Sequence, residues 1–482
     1  MKSKQIKPLI LIGCLIAITC IGMASSGNLS QKNISRIISP PTQTVSNKNG
    51  IVTLSCNLVQ DKIVSGSDGI VSLGLTMTAD SVLDGKTLED AKNLNNVDMV
   101  IVLDRSGSMS GQKINYAKNA AIELISKLTA SDRFALVTYS DTAQSLSGLI
   151  NVTPSAQRQL NAMIADITVG GGTNLSQGLQ VGIDILTSSK MTGNSGRLIL
   201  ISDGLTNKGI TSINALGNMA SFAVKNEFSI STAGVGNDFN EQLMTAIADH
   251  GTGNYYFLEN PSAFAAVFNN EFEQTRTSAA TCVKISFQGK NSIKLVNAGG
   301  YPIETKNNTA VFFPGDLMSG ETRKLFLSLK FPTDQVAIFD ISGISLQYHY
   351  NGDPYCVSLS SPLKLACVKD PQAAIASIDK ETWEHKVLKE DYSRLKEAVA
   401  GDIRSGRKQN ALKKIDRYYT DQQAINASVQ SDAVTDNLDH DLKQLRETVD
   451  ETFTGKPEAV AEKQKKNAKV LQYEGYKERR KN

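Results

Sequence analysis

Five oxygen-bearing side chains carry the chemistry that can be read from this sequence. Asp104, Ser106 and Ser108 form an Asp-x-Ser-x-Ser run, Thr173 follows the glycines at 170–172, and Asp203 precedes Gly204. Two carboxylates and three hydroxyls, with neither thiolate nor imidazole, make a hard ligand set. Such a set suits Mg2+, Ca2+ or Mn2+ and suits zinc or copper poorly. With five protein groups, some acting through water, an octahedral ion keeps a position open. A carboxylate from another molecule can fill it, so the expected partner is a protein presenting Asp or Glu to the metal. The competing readings are a metal-assisted hydrolase and a scaffold whose metal is only structural. A hydrolase needs a general base near the ion. No histidine accompanies these residues, and no GxSxG, Walker A or HExxH run is present. A binding protein without catalytic residues, not an enzyme, is therefore expected.

The pentapeptide is weak evidence alone, and its context strengthens it. Residues 97–104 form a nearly continuous apolar run ending at Asp104, as in a parallel strand buried on both faces. Similar runs cover 133–140, 197–203 and 228–236. Helical spacing separates them, at 112–128, 154–167, 175–189, 211–226, 240–249 and 262–275. This alternation predicts an α/β domain over 96–275, with a doubly wound, mostly parallel sheet. Ligands bind such sheets at the carboxyl ends of the strands, beside the topological switch point. Asp104, the loop ending in Thr173, and Asp203 should all reach that edge. Read separately, the three are a helix cap, a plain glycine loop and a turn. Read so, three unrelated turns must each bring oxygen ligands to one sheet edge.

The span from about Val97 to about Glu273 resembles a von Willebrand factor A domain. Its family pattern is Asp-x-Ser-x-Ser, a Thr in a glycine-rich loop and an Asp-Gly at a strand end, all of which this sequence contains. The resemblance implies a Rossmann-like fold and a metal-ion-dependent adhesion site. Ser106, Ser108 and Thr173 would be direct hydroxyl ligands, and Asp104 and Asp203 would act directly or through water. It also implies a last helix, near 262–275, that shifts between states. The β segment after this domain is similar, more loosely, to secreted inter-alpha-trypsin inhibitor heavy chains.

The remaining sequence divides by composition. Lys2, Lys4 and Lys7 precede an apolar run, so residues 1–24 read as a signal peptide or membrane anchor, with lipidation at Cys14 or Cys20 a third route. Each exports the chain, so the expected location is secreted, periplasmic or cell surface, with membrane contact only through this segment if uncleaved. Residues 25–47 read as a linker. Residues 48–95 alternate like antiparallel strands too few to stand alone, and the strand pattern returns over 278–368. The expectation is one β-sandwich into which the α/β domain is inserted; Cys56, Cys282, Cys356 and Cys367 allow three pairings or four buried free thiols, and of the pairings Cys56–Cys282 would close the sandwich across the insertion. Residues 371–453 read as a helical hairpin or bundle with Trp383 in its core, and 454–482 as a basic, solvated helix or tail in preference to a contact with an acidic surface. Arg105 is expected in solvent, and the sequon at Asn174 is expected to be unmodified. His250, His349, His385 and His440 show no metal spacing and read as structural or exposed. With 51 Lys and Arg against 48 Asp and Glu, nothing favours nucleic acid as a partner.

Overall fold

The computed structural model describes residues 43–82, 95–189, 191, 194–290 and 292–480. The expected signal segment lies outside them. Among the described residues no helix is long and apolar enough to cross a membrane.

Four strands come first: β1 (Val45–Asn49), β2 (Val52–Leu58), β3 (Lys62–Val64) and β4 (Ile70–Ala79). In β2 every second side chain is buried, so Val52, Leu54, Cys56 and Leu58 share the core face. β1 pairs with β2, and Val45 is buried. The expected linker therefore stops short of residue 47, because Val45 supplies an apolar anchor.

The α/β domain follows as β5 (Asn96–Asp104), α1 (Gln112–Lys127), β6 (Arg133–Tyr139), β7 (Ala143–Ser145), β8 (Ile150–Asn151), α2 (Pro154–Ala165), α3 (Leu175–Ser188), β9 (Asn194–Ser202), α4 (Ile213–Lys225), β10 (Phe228–Val235), α5 (Glu241–His250), β11 (Thr252–Leu258) and α6 (Phe264–Arg276). The strand order is β11-β10-β9-β5-β6-β7, with β5, β6, β9, β10 and β11 parallel and β7 and β8 antiparallel to β6. Strand order reverses between β9 and β5, which is the switch point. Both faces are covered, as continuous apolar strands require. Met99, Ile101 and Leu103 pack with α1 and α6, while Val100, Val102, Leu198 and Leu200 pack with α3, α4 and α5.

The chain then returns to β structure: β12 (Ser278–Gln288), β13 (Lys294–Ala298), β14 (Glu304–Lys306), β15 (Thr309–Phe312), β16 (Leu317–Met318), β17 (Thr322–Lys330), β18 (Ala337–Ile341), β19 (Ile344–Tyr350), β20 (Asp353–Ser358) and β21 (Leu363–Val368). One sheet runs β1-β2-β4-β17-β13 and another β14-β15-β12-β19-β20. β4 pairs antiparallel with β17 from Ile70↔Lys330 to Thr78↔Thr322. The two sheets share one core, with Leu54, Leu73 and Leu75 facing Ile285, Phe312, Leu346 and Tyr348. The α/β domain is thus inserted into a sandwich, and its two ends are clasped where Asn95 Nδ2 donates to the Ser278 carbonyl at 2.6 Å.

The Cys56–Cys282 disulfide that would close the sandwich is not present, and Cys356 and Cys367 form none either. The reason is directional. Cys56 points into the sandwich core, whereas Cys282 sits on an irregularity of β12 and lines a cavity against the inserted domain.

Helices finish the chain: α7 (Pro371–Ile375), α8 (Lys380–His385), a π-helical stretch (Lys386–Asp391), α9 (Tyr392–Arg404), α10 (Lys408–Val429), α11 (Asp432–Asp436), a π-helical stretch (Asn437–Asp441), α12 (Leu442–Thr452) and α13 (Pro457–Arg480). Trp383 is buried with Val59, Phe326 and Val399. The last segment is a helix, but it is not solvated all round as expected. Residues 457–480 form α13, whose buried face carries Ala468, Leu471, Gln472, Gly475, Tyr476 and Arg479, spaced as one helical stripe. Its basic residues answer acids of the α/β domain: Lys465 reaches Asp238 at 2.8 Å and Lys466 reaches Glu259 at 2.6 Å.

Candidate metal centre

At the carboxyl edge of the sheet, β5 delivers Asp104, and its buried carboxylate is met from two sides. Oδ1 accepts the Ser106 amide N–H at 2.8 Å, and Oδ2 accepts the Ser202 hydroxyl at 3.0 Å. Ser106 starts the single 3-10 turn Gly107–Met109, which folds Ser108 back over the strand end. The two serine hydroxyls lie 3.1 Å apart, and Ser108 Oγ donates to Asp203 Oδ1 at 2.7 Å. A β-carbon on Gly204 would lie 3.4 Å from Ser108 Oγ and 3.9 Å from Thr173 Oγ1, so the third hydroxyl converges on the same place. The structure therefore brings Asp104, Ser106, Ser108, Thr173 and Asp203 together.

Neighbouring loops brace this arrangement through backbone bonds. The Arg105 N–H donates to the Tyr139 carbonyl at 2.8 Å, Gly170 N–H to Arg105 at 2.8 Å, and Gly107 N–H to Gly171 at 3.2 Å. Gly171 has φ +82, a backbone geometry that favours glycine. Asp141 accepts the Gly172 N–H at 2.6 Å and pairs with Lys208 at 2.6 Å, while Asn207 Oδ1 accepts the Thr173 N–H at 2.9 Å. Asn174 caps α3, accepting from Gln177 N–H at 3.3 Å, and its Nδ2 donates to the Asp141 carbonyl at 3.2 Å. Arg105 is half-buried rather than free in solvent, and its charge helps hold the Asp141 carboxyl low, after Lys208 and Gly172.

Electrostatically the site sets two buried carboxylates against a single ammonium. Burial pushes the Asp104 carboxyl up to about 6, and the Asp203 charge pushes the same way against the Ser106 hydrogen bonds. Lys113 Nζ stands 2.6 Å from Asp203 Oδ2. An ammonium drawn to one of two buried carboxylates shows that the pocket attracts a cation, and the all-oxygen donor set fits a hard one. Sequence reasoning missed Lys113, Asp141 and Asn207. Lys113 left a signal, because a lysine in the first turn of a helix opposes the helix dipole and needs another partner.

The von Willebrand factor type A domain family matches residues 98–270. This chain carries a von Willebrand factor type A domain. Within curated proteins, the chain is 31% identical over 193 residues to the uncharacterized protein YfbK of Escherichia coli (strain K12), covering 40% of this chain and 33% of that protein. It is 26% identical over 227 residues to inter-alpha-trypsin inhibitor heavy chain H4 of Homo sapiens, covering 46% of this chain and 23% of that one. The chain thus spans a third or less of the length of these two relatives. Among solved structures, a von Willebrand factor type A protein from Catenulispora acidiphila superimposes with a TM-score of 0.65 at 15% identity, covering 92% of this chain and 99% of that one. The likeness of fold therefore extends past the type A domain into the sandwich and helices.

Proposed function

We propose that this is an exported binding protein that holds an acidic side chain of a protein partner through a divalent cation on its type A domain. The observation that carries the reading is the meeting of five oxygen-bearing side chains, drawn from three separate loops, at the carboxyl edge of the sheet. Ser106, Ser108 and Thr173 would hold the ion through their hydroxyls, with Asp104 and Asp203 contributing directly or through water. When bound, a Mg2+-class ion supplies a positive centre with a position open to a carboxylate. The chain's own residues orient it: Ser202 fixes Asp104, Asn207 fixes the backbone at Thr173, and Asp141 holds the glycine loop. Export rests on the basic and apolar pattern of residues 1–24.

The test is Mg2+ titration by calorimetry together with partner capture. Ser106→Ala should weaken Mg2+ binding at least about tenfold, the loss of roughly 1.4 kcal/mol of ligand interaction. Its unfolding midpoint should stay near wild type, because no apolar face is touched. Capture of a partner on immobilised protein should occur in Mg2+ and vanish in chelator. Capture that persists undiminished in chelator sinks the reading.

A further inference from the structure

A second cluster of ligand-type side chains lies at the other edge of the type A sheet, where it meets the sandwich. Glu227 is in the turn between α4 and β10, Cys282 is on β12 and His349 on β19. One ligand atom of each lies within 4.8 Å of the other two, and His349 Nδ1 is 3.8 Å from Glu227 Oε1. The histidine that sequence spacing assigned to no metal thus has its partners on other elements.

Backbone geometry aims two of the three. β12 pairs with β19 at Thr281↔His349 and again at Lys284↔Gln347, so one extra residue bulges between these pairs. Cys282 occupies the bulge with φ +56, and its N–H donates to Asp316 Oδ1 at 2.9 Å. Bulges redirect side chains, and here the thiol turns toward the inserted domain. Glu227 has φ +65, again a conformation that residues with side chains rarely adopt. Both line a cavity of about 560 Å3 at the domain seam, with His349 and Cys356 on its wall. The nearby Lys225 is answered by Glu304 at 2.9 Å.

We propose that Glu227, Cys282 and His349 are a binding site for a zinc-class dication, distinct from the hard-ion site at Asp104. A thiol, an imidazole and a carboxylate are the donors that zinc selects, and three of them leave a fourth position for solvent. Around a tetrahedral zinc, ligand atoms sit roughly 3.3–3.8 Å apart. The Glu227–His349 separation already meets that spacing. The widest pair closes by about an ångström through rotation of side chains that are not fully buried. As the metal–sulfur bond forms, the Cys282 thiol gives its proton to solvent. A Cys282–Cys356 disulfide is not an alternative fate. β19 separates their strands, which places the α-carbons roughly 9.5 Å apart, beyond the 7 Å or so that a disulfide spans. A bound ion would tie the type A domain, through Glu227, to the sandwich, through Cys282 and His349.

Cobalt titration of the full, reduced chain in saturating Mg2+ tests this, since Mg2+ keeps the hard site occupied. The expected result is a thiolate-to-cobalt charge-transfer band that saturates near one equivalent and is displaced by zinc. Cys282→Ser should abolish the band. Glu227→Gln and His349→Ala should each weaken cobalt binding by at least about tenfold. Cys356→Ser and Ser106→Ala should keep it, the latter separating this site from the one at Asp104. Absence of the band, or a band that survives Cys282→Ser, overturns the proposal. Glu227→Gln removes only charge, so an unchanged affinity there overturns it independently of any folding defect in the serine variant.

Discussion

Asp203 is shared between two neighbours: Ser108 holds one carboxylate oxygen and Lys113 the other. A metal ion at this site competes with the ammonium for the same charge. Lys113→Met should therefore tighten Mg2+ binding, by about fivefold. That corresponds to roughly 1 kcal/mol for a charge-assisted contact, discounted because the lysine is partly exposed. Calorimetric titration decides it, and weaker binding would mean that Lys113 positions Asp203 instead of competing for it. The meeting of Asp104, Ser106, Ser108, Thr173 and Asp203 is legible in the sequence because each lies at the end of an apolar strand or in a glycine loop. Lys113 is not, because its partner lies 90 positions away, across the sheet edge. His349 is hidden for the same reason: Glu227 and Cys282 approach it from elements distant in sequence.

The helix that follows Thr173 approaches the sheet closely. At Gly178 on α3, a β-carbon would sit 2.6 Å from Tyr139 Cδ1 and 3.1 Å from Val102 Cγ1. Tyr139 is itself fixed, its hydroxyl donating to the Ile201 carbonyl at 2.7 Å on β9. Gly178→Ala gains about 0.5–1 kcal/mol in helix propensity but loses about 1–3 kcal/mol to overpacking. The clash wins, so urea unfolding should show a net loss of about 1 kcal/mol. Mg2+ affinity should fall as well, because α3 carries the loop that holds Thr173. A stabilised alanine variant would show that the helix can retreat without cost. The sheet strands and helices of this domain are readable because their apolar periods are long and clean. α13 is not: its inward stripe includes Gln472, Gly475 and Arg479, which dilute the period among charges. The bulge at Cys282 is equally invisible, since it is set by pairing with β19 and not by local composition.

Across the molecule, α13 acts as a strut joining all three parts. Tyr476 packs edge-on against Tyr255 at 5.6 Å, and its hydroxyl donates to Gly253 in the type A domain at 3.0 Å. Arg479 donates to the Gly299 carbonyl of the sandwich at 2.8 Å and to Glu397 of the helical bundle at 3.2 Å. Tyr476→Ala should cost about 3–5 kcal/mol, as buried aromatic truncations do. The expected reading is an earlier first unfolding transition, in urea or on heating, with type A and bundle signals no longer coincident. An unshifted, single transition would mean that the strut carries no load.

The insertion has a mechanical meaning. The chain leaves the sandwich after β4 and re-enters it at β12, and both strands are flanked by neighbours on either side in their sheets. A tug on the type A domain would reach the sandwich through those two connections as well as through α13, and the connections enter the middle of each sheet. There it would stretch whole ladders in shear, nine residue pairs between β4 and β17 alone, instead of peeling an edge strand one bond at a time.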